Sequence, residues 1–181
     1  MCVRVAHELD EGVHALDIAA EREGIDHCDA PRGVLGAGKL GPQSGCGLRH
    51  GIVLKRATGE LAYANAGHNL PYRLRADGSV AVLPASPGLV LALAEEFEFR
   101  TEVVRLEPGD GVFLFTDGVT EAIDAGNVLF SEDRLEAYLR TTAGRDAAGI
   151  VRGAIRAVDE FAGGAPQFDD ITALAIRYCA S

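Results

Sequence analysis

The chain has no tryptophan and one methionine, and its seven Phe and four Tyr all lie at or beyond Tyr63, leaving residues 1–62 without an aromatic ring. By composition it divides into two unlike pieces. No run of about 18 apolar residues occurs, so no membrane-spanning helix is expected. Cations are scarce: 17 Lys and Arg stand against 27 Asp and Glu, a net charge of −10. Nucleic acids and anionic membrane surfaces both require clustered cations, so neither is expected as a partner. The opening MCVRVAHELDEG carries acidic residues where a secretory leader would place its apolar stretch, and a cytoplasmic protein is the expectation. The four cysteines, Cys2, Cys28, Cys46 and Cys179, follow no framework spacing and are expected to be free thiols.

The 181 residues are 48% hydrophobic and 24% charged, ordinary values for one globular domain that needs neither disulfides nor metals to fold. Over residues 1–24, Val5, Leu9, Val13 and Leu16 recur at three- and four-residue steps and predict a short helix. The stretch APRGVLGAGKLGPQSGCG that follows has no period and little apolar area to offset its ordering entropy. It reads as a loop or disordered segment. Residues 1–50 therefore form an atypical Gly-rich segment ahead of a domain over 51–181. Gly33 to Lys39 resembles a phosphate-cradling loop, but Leu40 stands where a Ser or Thr should reach magnesium, and Gly41-Pro42 follows where a helix should start. His27, Cys28, Cys46 and His50 are zinc-ligand types without the usual paired spacing, which favours chance clustering.

From residue 51 the pattern becomes regular. GIVLKR and LAYANA predict one hairpin, LPYRLR and SVAVL a second, with Asp77-Gly78 supplying the positive φ angles of its turn. FEFRTEVVRL alternates, placing Phe97, Phe99, Thr101 and Val103 on the buried side of a strand. GVFLFTDG is almost wholly apolar until it meets Asp117, as expected of a central strand covered on both faces. SEDRLEAYLRTT predicts a helix with Ser131 as its N-cap, and DAAGIVRGAIRAVDEFAGG a second from Asp146 to Gly163. ITALAIRY closes the chain as a strand preceded by Asp169-Asp170. The order describes an α+β domain of mostly antiparallel sheet with helices packed on it.

Two buried strands thus emerge at carboxylates. Such groups are costly there unless solvated, paired or bound to a metal, and hard cations prefer their oxygens. The bland alternative is that Asp117 is only a turn-former. The blocks ELAYANAGHN, LEPGDGVFLFTDGVTEAID, LFSEDRLEAYL and FDDITALAIR, in that order, resemble the SpoIIE/RsbU branch of the metal-dependent PPM protein phosphatases, over roughly residues 51–178. The resemblance implies an α/β/β/α sandwich of two mostly antiparallel sheets flanked by helices, incomplete here at the N-terminus. It also implies two Mn²⁺ or Mg²⁺ ions and hydrolysis of phosphoserine or phosphothreonine by a metal-activated water. On the matching positions, Asp117, Gly118 and Asp169 correspond to the metal site, with Asp117 and Asp169 catalytic. Asp170, Gly67, His68 and Asn69 neighbour that site, and Glu121 either contacts its surroundings or faces solvent. The implied substrate is a phosphorylated protein of the STAS-type anti-anti-sigma class. The chain departs from the family at an earlier block, D-x-S-G-H-G, which nothing here matches; the nearest text is Asp10-Glu11-Gly12-Val13-His14-Ala15. A phosphatase-like binding module without turnover is therefore the second reading.

Overall fold

A computed structural model describes residues 2–9, 12–16, 50–55, 58–65, 69–85, 102–167 and 169–179. In chain order these form β1 (Cys2–Leu9), β2 (Gly12–Leu16), β3 (His50–Lys55), β4 (Glu60–Asn65), β5 (Tyr72–Leu74), β6 (Val80–Val82), β7 (Glu102–Arg105) and β8 (Gly111–Phe115). Then come α1 (Asp117–Thr120), α2 (Ser131–Leu139), α3 (Ala147–Ala162) and β9 (Ala173–Cys179). Six strands pair in the order β2-β1-β9-β8-β5-β6 and three in the order β3-β4-β7, all antiparallel.

The expected central strand is β8, held between β5 and β9. Its alternating side chains enter two different cores. Phe113 and Phe115 pack with Tyr72 and with Leu135, Leu139, Ile150, Val151 and Val158 of the helices. Val112 on the opposite face joins Ile176 and Tyr178 against Leu54, Leu61 and Tyr63 of the smaller sheet. Two antiparallel sheets thus stack with helices over the larger one, the sandwich expected from the sequence. Helix α3 follows its sequence signals closely: the Asp146 carboxylate accepts from the Gly149 N–H at 2.7 Å, and Gly163 closes the helix at φ 58°.

Four expectations are corrected. The predicted helix within residues 1–24 is instead the hairpin β1–β2, with Leu9 opposite Gly12. Val3 and Val5 fit a period of two as well as Val5 and Leu9 fit a helix. The deciding factor is that the backbone of β9 offers β1 a seven-residue ladder from Cys2↔Cys179 to Glu8↔Ala173. An unpaired edge there would leave buried backbone polar groups without partners. In β7, Val103 is 59% exposed while Val104 packs on the core, the reverse of the predicted face. Val104 lies opposite buried Leu61, and a shift of one residue inverts every face of a strand. Phe97, Phe99 and Thr101 lie outside the described residues. In the second hairpin only Gly78 takes positive φ, at 87°, while the Asp77 carboxylate accepts from the Ser79 N–H at 2.8 Å. Finally, Ser131 makes no side-chain cap and sits at φ 67°. The start of α2 is fixed instead by Phe130, which is buried edge-to-face on Phe161, and by its N–H bond to the Ala122 carbonyl at 2.8 Å.

The start of β8 is pinned by Asp110, which is only 4% exposed. Its carboxylate accepts from Arg73 at 2.6 and 3.2 Å and from the N–H groups of Ala76 and Glu107 at 3.0 and 3.2 Å. Removing one member of a buried charge pair leaves the other uncompensated. Asp110→Ala is expected to lower unfolding free energy by about 3 kcal/mol, read by urea denaturation.

Candidate metal centre at the carboxylate edge

The last rung of the β8–β9 ladder is Phe115 opposite Ala173. Beyond it, Thr116 continues the pairing with both backbone and side chain. Its N–H donates to the Thr172 carbonyl at 3.0 Å. Its hydroxyl donates to the Asp170 carbonyl at 2.8 Å and accepts from the Thr172 N–H at 2.9 Å. The chain then turns into the single turn α1, closed by bonds from the Glu121 N–H and the Thr120 hydroxyl to the Asp117 carbonyl at 2.8 and 3.2 Å.

Gly118 lies directly against the second acidic segment. A Cβ at this position would stand 2.6 Å from the Asp170 carbonyl oxygen and 3.2 Å from that of Asp169. Only a residue without a side chain permits this approach, and it brings Asp117-Gly118 beside Asp169-Asp170. The acidic segment is held in turn by Gln167, whose side-chain amide donates to the Asp169 carbonyl at 2.8 Å.

The carboxylates of Asp117, Asp169 and Asp170 are all exposed at this edge. Asp117 Oδ1 accepts from the Gly118 N–H at 3.2 Å, and Asp169 Oδ1 accepts from the Asp170 N–H at 2.8 Å. Each therefore keeps its second oxygen available. The ion pairs among the described residues join Arg73 to Asp110, Arg105 to Glu107, Arg140 to Glu136 and Arg156 to Glu160, and none of them involves Asp117, Asp169 or Asp170. Free carboxylate oxygens outside such pairs are the donor set that Mg²⁺ and Mn²⁺ prefer. The described residues alone supply no group of three or more His, Cys, Asp or Glu able to enclose an ion.

Of the remaining sequence-derived candidates, Asn69 is half-buried, and Glu121 is exposed with its backbone N–H closing α1. Gly67 and His68 lie outside the described residues, as do the Gly33–Lys39 stretch and His27, Cys28 and Cys46; His50 lies on β3 opposite Asn65. Two contributors escaped the sequence reading, Thr116 and Gln167. Thr116 stands next to Asp117, but its hydroxyl acts on a carbonyl 54 positions away, which no local spacing signals.

The fold is that of the PPM-type phosphatase domains. The family model for stage II sporulation protein E (SpoIIE) matches residues 50–178, and the chain belongs to that family. It is 32% identical over 127 residues to Protein IcfG of Synechocystis, covering 68% of this chain and 19% of that protein, so it spans about a fifth of its curated relative. Among solved structures, the SiaA-PP2C domain of Pseudomonas aeruginosa superposes with a TM-score of 0.58 at 26% identity, covering 71% of this chain and 50% of that one. The manganese-presoaked phosphatase domain of SpoIIE from Bacillus subtilis gives a TM-score of 0.58 at 17% identity, over 73% of this chain and 56% of that one, a likeness of fold. No helix among the described residues is long and apolar enough to cross a membrane.

Gly118→Ala places a methyl group against backbone that cannot swing aside. It is expected to cost about 1–3 kcal/mol of stability by urea unfolding, although alanine is the better helix former.

Proposed function

We propose that this chain is a metal-dependent phosphoprotein phosphatase acting on phosphoserine or phosphothreonine. The observation that carries the reading is the convergence of Asp117-Gly118 with Asp169-Asp170 at one edge, with no ion pair to these carboxylates among the described residues, in a member of the SpoIIE family. Asp117 and Asp169, with the Gly118 carbonyl, would hold Mn²⁺ or Mg²⁺. When bound, such ions lower the pKa of a water and polarise phosphoryl oxygens. The chain's own part is positional. Thr116 fixes the spacing between the two acidic segments, and Gln167 and the Gly118 contact hold the Asp169-Asp170 peptide in place. Gly67, His68, Asn69 and Asp170 shape the surroundings. An edge this acidic repels a phosphate dianion, so substrate binding depends on the cation.

The family's first aspartate block is absent as a sequence pattern. The substrate class is a phosphorylated protein of the STAS-type anti-anti-sigma group, in bacterial partner-switching signalling.

Mn²⁺ is expected to raise the unfolding midpoint by mass action and to release phosphate from a phosphorylated STAS domain. Asp117→Asn and Asp169→Asn should each remove the thermal shift and lower kcat/KM at least about 100-fold, beyond the 10- to 100-fold typical of residues one shell further out. Phosphoprotein binding without release at any Mn²⁺ concentration would instead establish the binding-module reading.

A further inference from the structure

The two segments that carry the carboxylates also wall a groove. Past Asp117 the chain runs through Ala122 and Ile123, past Asp170 it runs into Ile171, and both face Val158 and Ala162 in the last turns of α3. The groove encloses about 220 Å³. That is below the roughly 300–1,000 Å³ of sites for whole cofactors or drug-sized ligands, and suits a side chain delivered by a larger molecule. Gln167 lines it and also bonds the Asp169 carbonyl, so groove and carboxylate edge share a wall.

The side chains lining it are aliphatic apart from Gln167 and Asp159, with backbone polar groups between them. Asp159 is exposed and takes part in none of the ion pairs among the described residues, and no Lys or Arg lines the groove. A bound segment would therefore bury an aliphatic side chain and set a cation against Asp159.

We infer that this groove is a specificity site for the phosphoprotein substrate. It takes an aliphatic residue near the phosphorylated Ser or Thr, accompanied by a Lys or Arg that meets Asp159. The position of the phosphoryl group rests on the phosphatase reading; the groove's binding of a peptide does not.

The test uses the full chain with Mn²⁺ and fluorescent phosphoserine peptides carrying Leu and Arg near the phosphoserine, with Leu→Asp and Arg→Glu versions. Ala162→Phe fills the groove, and Asp159→Lys reverses its charge at an exposed position that does not endanger folding. Affinity is read by anisotropy, and turnover on both the peptides and p-nitrophenyl phosphate, which has no side chain for the groove. Burial of one aliphatic side chain sets the scale: Ala162→Phe should weaken the Leu/Arg peptide about tenfold or more, while leaving p-nitrophenyl phosphate within twofold. Asp159→Lys should invert the preference between the Arg and Glu peptides. Equal affinity for the Leu and Asp peptides, or peptide affinity that neither variant moves, overturns the proposal. Groove-dependent binding without hydrolysis of either substrate upholds it and removes the phosphatase reading instead.

Discussion

The pairing of β8 with β9 is the constraint on which the rest depends. Its five rungs, Gly111↔Arg177 to Phe115↔Ala173, form the interior of the large sheet. Both cores are built on it, with Phe113 and Phe115 toward the helices and Val112 and Ile176 toward the small sheet. Because both faces are buried, the register has no freedom to slip. Thr116 carries the same register one step past the last rung, and Gly118 then meets the Asp169-Asp170 peptide. The position of the carboxylates is a consequence of a ladder fixed by hydrophobic burial.

The two ends of β8 treat an aspartate in opposite ways. At the start, Asp110 is buried and receives four hydrogen-bond donations, two of them from Arg73. At the finish, Asp117 is exposed and receives one, from the adjacent backbone N–H. Burial demands compensation, and the first site supplies it within the chain. The second site leaves oxygen lone pairs and negative charge open to an external partner. One strand thus carries a structural carboxylate and, on the reading advanced above, a functional one.

The N-terminal hairpin changes the standing of residues that differ from the family pattern. In sequence they lack the family's D-x-S-G-H-G block, and their spacing suggests a helix. In the fold, β1 pairs with β9 on one side and with β2 on the other. Backbone hydrogen bonding is indifferent to side-chain identity, so a strand can fill this place without the family's sequence.

Much of the domain was legible locally. The apolar run before Asp117, the Asp146 cap, the Gly163 stop and the stripe Ile150, Val151, Ala154 and Val158 each declare themselves within a few residues, because caps and periodicity are short-range. The two acidic segments were also visible as candidates. What the sequence alone determined was therefore the set of elements and the chemistry at their ends. Tertiary structure decided what depends on distant partners: which of Val103 and Val104 faces inward, that residues 2–9 and 12–16 pair as strands, and that Phe130 overrides Ser131 at the start of α2. It also decided that Thr116 and Gly118 bring the two acidic segments to one edge. The physical reason is common to all four. Each outcome is set by burial or hydrogen bonding across the sheets, and local spacing carries no record of the partner strand.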